Sequence, residues 1–178
     1  MTTPPPPAAA PRRSLLSSTW PYERELRLWA GVILFTFVLT HFLNHALGIF
    51  GIDWMEWAQA WRSGFWRSRP GTIALYGAFG VHVLLTLKRI VARRTWRMPW
   101  MEAAQIALGL MIPALVIDHV AATRHLATYH GFDDSYRFEL RQLWPGLAVK
   151  QILMLLVVWF HGVIGINYVF RSRPWFAR

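Results

Sequence analysis

Seven histidines punctuate this chain, and five of them, His41, His45, His82, His119 and His161, fall inside long apolar stretches. Lipid is a poor solvent for imidazole, so a histidine at membrane depth is a functional-site hypothesis by default. Two imidazoles from facing helices, at one level, are what a bis-His haem requires, one nitrogen on either side of the porphyrin plane. With both axial positions filled, no open site remains for oxygen chemistry, and electron transfer or redox sensing is the natural role. A zinc centre is the competing reading. It would collect three or four ligands at one level, and Asp118 beside His119 is its one carboxylate candidate. Any single histidine also reads as an interhelical hydrogen-bonding residue. One in every span is harder to read that way.

The elements that must position these side chains are legible as apolar runs. Leu28 to Ile52 carries no formal charge over 25 residues, about 37 Å as a helix and enough to cross a bilayer. It holds His41, Asn44 and His45. A second span over 71–88 holds His82. A third over 99–122 holds Pro113, Asp118 and His119, with a kink expected at Pro113. A fourth over 147–170 holds His161. Between the first two, Trp54, Trp57, Ala58, Trp61 and Phe65 recur at helical spacing, which predicts an interfacial amphipathic helix over 53–66. The alternative there is a loop with aromatic anchors. Residues 1–25 read as a Pro/Ala-rich and basic tail without a packed core, and with no apolar run that would make a signal peptide. Thr123 to Pro145, with His125 and His130, reads as a polar, solvated segment. The predicted class is all-α, an integral-membrane four-helix bundle.

Charge sets the orientation. Twelve Lys and Arg residues lie on the side of the N-terminal segment, the Lys88–Arg97 loop and the C-terminus, against seven on the other. Both termini are therefore expected in the cytoplasm. Counted from that side at ~1.5 Å per residue, His82 lies about 9 Å deep, His161 about 15 Å and His41 about 21 Å, with His45 and His119 at about 27 Å. Depth thus sorts an inner pair, His82 with His161, from an outer pair on the first and third spans. Gly31 lies ten residues before His41, and Gly109 ten before His119. Both come near the inner level, where they would admit a porphyrin; small residues for close helix packing are the alternative. Arg124 at the outer end, and Lys88 or Arg89 at the inner end, are candidates to pair with propionates, or else simply flank the spans.

Composition narrows the classes further. The chain is 54% hydrophobic and contains no cysteine, so disulfides, thiolate sites and iron–sulfur clusters within it are excluded. Its net charge of +10 flanks the spans and forms no basic face, which argues against a nucleic-acid partner. Eleven Trp residues suit anchoring at the membrane interface.

Four segments, His41 in LTHFLNH, His82 in VHVLLTLKR, His119 in IDHVAATR and His161 in FHGVIGINY, resemble the dihaem cytochrome b membrane subunits of succinate dehydrogenase and fumarate reductase. Those dihaem subunits generally have five spans, where four are found here. THFLNHALG, LYGAFGVHVLL, RMPWMEAAQIALGLMIPALVIDHV and HGVIGIN are similar to the N-terminal membrane anchor of dihaem, CyaC-like class III adenylate cyclases. The resemblance implies two haem b groups, paired first span with third and second with fourth. It also implies sensing of the quinone pool or respiratory chain in a bacterial inner (cytoplasmic) membrane, and control of a C-terminal cyclase output. No cyclase domain lies within these 178 residues, and 174–178 would begin a linker toward one. The resemblance favours His41 as the outer ligand of the first span, whereas depth alone favours His45. The runner-up role is a respiratory membrane anchor passing electrons between quinone and a soluble redox partner. A third is a haem-free helical protein whose histidines are packing contacts. A homodimer is left open.

Overall fold

The computed structural model describes residues 21–176. Seven α-helices follow in order: α1 (Glu23–Ala46), α2 (Ile52–Trp66), α3 (Arg69–Val91), α4 (Trp100–Val120), α5 (Leu126–His130), α6 (Tyr136–Leu143) and α7 (Ala148–Phe170). No strand occurs among the described residues. Four helical stretches are long and apolar enough to cross a membrane: Glu23–Ile49, Arg69–Val91, Trp100–His130 and Ala148–Phe170. The shortest has 23 residues, about 35 Å of helix against ~30 Å of hydrocarbon.

Two expectations change. Glu23 to Glu25, assigned to the N-terminal tail, already belong to α1, with Tyr22 as its N-cap; residues 1–20 of that tail lie outside the described residues, as do 177 and 178. The polar segment after the third span is largely helical. α4 runs through a π-helical turn, Ala121–His125, into α5. Gly131 then ends the helix with φ +68°, a left-handed conformation that glycine adopts without steric cost. The side chain of Ser135 next accepts from the Phe138 amide at 3.2 Å and opens α6. Short, polar helices of this kind leave too little apolar periodicity to stand out in a sequence.

The spans pack as two antiparallel pairs. α1 lies along α3, α4 lies along α7, and no comparable packing joins one pair to the other. The two pairs are built alike. Each opens with a helix carrying a glycine and, ten residues on, a histidine (Gly31 and His41; Gly109 and His119). Each continues with a helix carrying one histidine (His82; His161). At the end where α1 and α7 are joined to their neighbours by α2 and α6, polar contacts tie the cap together. Asn44 is 3% exposed and donates to the Met55 carbonyl at 2.9 Å. Gln59 donates to the Asp134 carbonyl at 2.7 Å, Arg67 pairs with Asp134, and Arg137 pairs with Asp53 at 2.6 Å. We call this the capped end. The opposite end is tied by Lys88 with Glu23 and by Arg93 with Glu102 at 2.5 Å. On α2 the aromatic stripe faces outward, with Trp54, Trp57, Trp61 and Phe65 all exposed; such a face suits the headgroup region.

Candidate functional site

Each histidine pair forms across the gap between the two helix pairs. At the level farther from the capped end, the His82 ring on α3 and the His161 ring on α7 have centroids 6.3 Å apart, with their planes at 86°. At the level nearer the capped end, His41 on α1 and His119 on α4 stand 6.0 Å apart at 58°. Two metal–nitrogen bonds of about 2 Å each, plus roughly 1 Å from each ring centre to its nitrogen, span about 6 Å. The centroid separation in both pairs matches the span of one metal ion between two imidazoles. Ten residues of helix separate Gly31, against which His82 packs, from His41, placing the two levels about 15 Å apart along the bundle.

The glycines explain how the first pair is aimed. A Cβ added at Gly109 would fall 2.8 Å from Cε1 and 3.3 Å from Nδ1 of His161. One added at Gly31 would meet the same two atoms of His82 at 3.6 Å. Each glycine is thus a notch into which an imidazole from the partner helix fits. In the α4 notch, His161 Nδ1 lies 3.2 Å from the carbonyl of Gln105, four residues before Gly109. A carbonyl can only accept, so the proton sits on Nδ1, and the Nε2 lone pair is left for a metal. In the α1 notch, His82 Nδ1 is buried and closes no hydrogen bond. Pro113 also removes the helical bond that the Gly109 carbonyl would otherwise accept.

The second pair is set differently. Phe37 stacks on His41 at 5.8 Å and 10°, and Trp66 meets Phe37 edge-on at 5.3 Å. His45 lies one turn further along the same face, its Nε2 3.2 Å from His41 Nε2. That contact requires a proton between the two nitrogens, so it and metal ligation by His41 Nε2 exclude each other. His41 is the residue whose ring opposes His119, while His45 is the more exposed of the two.

Other expected residues lie elsewhere. Arg124 donates to Thr72 Oγ1 at 2.7 Å and to the Trp66 carbonyl at 3.4 Å, and sits over the Tyr76 ring. It staples the α2–α3 corner. Lys88 is paired with Glu23, and Arg89 is exposed near Arg27. Asp118, which a zinc centre would need, is 71% exposed and paired with Lys150. Among the described residues, no three His, Asp or Glu side chains converge to hold a metal ion. His125 and His130 are exposed, their rings 5.6 Å apart.

Sequence reading passed over three residues. Gln105 supplies the carbonyl that fixes His161. Arg62 on α2 comes within 3.2 Å of Asn44 Oδ1, and Tyr136 on α6 lies edge-on to His45 at 5.3 Å. Burial pushes the Arg62 guanidinium below its usual range and the Tyr136 phenol above its own. Only Gln105 had a local signal, its place four residues before a glycine. Nearby, burial and then Asp134 and Asp133 raise the Glu139 carboxyl above the usual range. The folded chain thus binds a proton there more readily than the unfolded chain. Stability should fall as pH rises from the ordinary carboxylate range through the raised value. Glu139→Gln should flatten that part of the pH–stability curve, read by thermal unfolding at a series of pH values.

No family model, curated protein or solved structure matches this chain. Its function is therefore inferred from the two opposed histidine pairs.

Proposed function

We propose that this chain is a membrane-embedded dihaem b module that senses or relays the redox state of the quinone pool, with both ends on the cytoplasmic face of a bacterial membrane. The observation that carries this reading is the meeting of all four spans' histidines as two opposed pairs, one above the other. His82 and His161 would hold one haem, His41 and His119 the other. When bound, two such groups supply reversible one-electron transfer across the bundle.

The chain's own residues do the rest. Gln105 holds a proton on His161 Nδ1, which keeps Nε2 bare and the ring oriented. Gly31 and Gly109 let the imidazoles enter against the helix backbones. Phe37 and Trp66 wall the second level with aromatic surface, which limits water access and so bears on the redox potential. Control of a C-terminal adenylate cyclase is the output that the sequence resemblance implies. A respiratory anchor would use the same ligand pairs. Co-purification with a flavoprotein dehydrogenase would favour that second role.

The test is reduction by quinol. Purified chain in liposomes, given duroquinol, is expected to show haem reduction in its optical spectrum. Reduction by dithionite with none by quinol would overturn the quinone-linked role.

A further inference from the structure

Among the described residues at the capped end, Arg62 is a cation to which no carboxylate is bonded. Arg62 is half-buried, and its Nε donates to a neutral acceptor, Asn44 Oδ1, at 3.2 Å. Asn44 is itself almost wholly buried and is fixed through Nδ2 to the Met55 carbonyl. The amide is thereby aimed at the guanidinium. The neighbouring ions are already matched: Arg67 with Asp134 and Arg137 with Asp53. Glu56 accepts from the Arg137 amide at 3.1 Å. The Tyr136 hydroxyl adjoins Arg62 and is buried without a well-formed hydrogen bond. Tyr136 also lies edge-on to His45, one turn from His41, so Arg62 and its two neighbours stand next to that histidine level. A guanidinium withdrawn from water is stable when its remaining N–H groups meet an anion, and its planar fork suits a carboxylate.

We propose that Arg62, held by Asn44 and flanked by Tyr136, is the seat for an anionic oxygen group presented beside His41 and His119. The proposal rests on the dihaem reading. It moves the anion partner at this end from Arg124 to Arg62. Two sources share the chemistry: a propionate of the haem held by those histidines, or the oxyanion of a separate quinol.

The experiment compares wild type, Arg62→Gln and Arg62→Lys by redox titration of the detergent-purified, quinone-free chain, and then by duroquinol reduction kinetics in liposomes. A propionate on Arg62 predicts that Arg62→Gln lowers the midpoint potential of one haem only, because losing a cation favours the ferric state. Arg62→Lys restores most of that shift. A separate oxyanion predicts that the larger effect falls on duroquinol, its KM raised about tenfold or more as for a lost charge-assisted contact, with only a small shift in potential. Unchanged potentials and unchanged KM, in protein that still carries two haems, would overturn the seat alone. A wild-type chain with no haem would instead overturn the reading beneath it. If Arg62→Gln does not fold, Tyr136→Phe, which keeps the charge and removes the hydroxyl flanking it, is read in the same two ways with smaller shifts expected.

Discussion

His161→Ala is expected to cut the haem content from two per chain to one, and His82→Ala to do the same. The double variant should lose no more than either single if, as proposed, both imidazoles hold one iron. Effects of groups that act as a unit do not add. The haem that survives should be the one between His41 and His119, with its potential little changed. His161→Met is the informative companion. A thioether can stay bound where alanine cannot, and a Met/His ligand set raises the potential. That variant should retain two haems, with one titrating at a higher potential. His45→Ala should retain both, while His41→Ala should lose the second. The opposite result for these two would exchange their roles. Haem content by pyridine haemochrome, with redox titration, reads all of these outcomes.

The second large effect is expected at Gly109, where even one methyl group matters. A Cβ there would sit 2.8 Å from His161 Cε1, well inside van der Waals contact. The ring must then swing out and leave the Gln105 carbonyl. Gly109→Ala should therefore deplete the haem between His82 and His161. The helix itself should gain, because alanine is about 1 kcal/mol better than glycine in a helix interior. At Gly31 the same methyl meets His82 at 3.6 Å, an ordinary contact, so Gly31→Ala should keep both haems while Gly31→Leu should not. Loss of haem from Gly109→Ala with undiminished thermal stability would separate an imidazole notch from simple helix packing. Equal tolerance of alanine at both glycines would reject the notch.

These two sets of residues also show where sequence reading works and where it stops. Regular helices rise by a fixed step, so counting from flanking charges ranked His82 and His161 above His41 and His119 in depth without any tertiary information. The same counting brought Gly31 and Gly109 to the level of the first pair. It did not reveal that each glycine faces an imidazole, because that depends on side-chain direction across a helix pair. The capped end was least legible. Arg62, Asn44 and Tyr136 come from three separate helices, and they meet only once α2 folds back over α1 and α6 docks on α2. Arg124 has the same flanking position in the sequence that Arg62 lacks, yet its reach is fixed by Thr72 and Trp66 at another corner. The helices within Thr123–Pro145 do not stand out in a segment that reads as polar and solvated, because they are short, polar and interrupted. Only tertiary contacts and local caps such as Ser135 hold them.

The measurement that bears most directly on the central claim is a pyridine haemochrome count, paired with a dithionite-reduced minus oxidised spectrum, on chain purified from cells supplied with ample haem. Two low-spin b haems per chain are the predicted result, one for each opposed pair of histidines. A chain that folds and inserts but carries no haem would contradict the account, leaving the four histidines as contacts that hold the helices together.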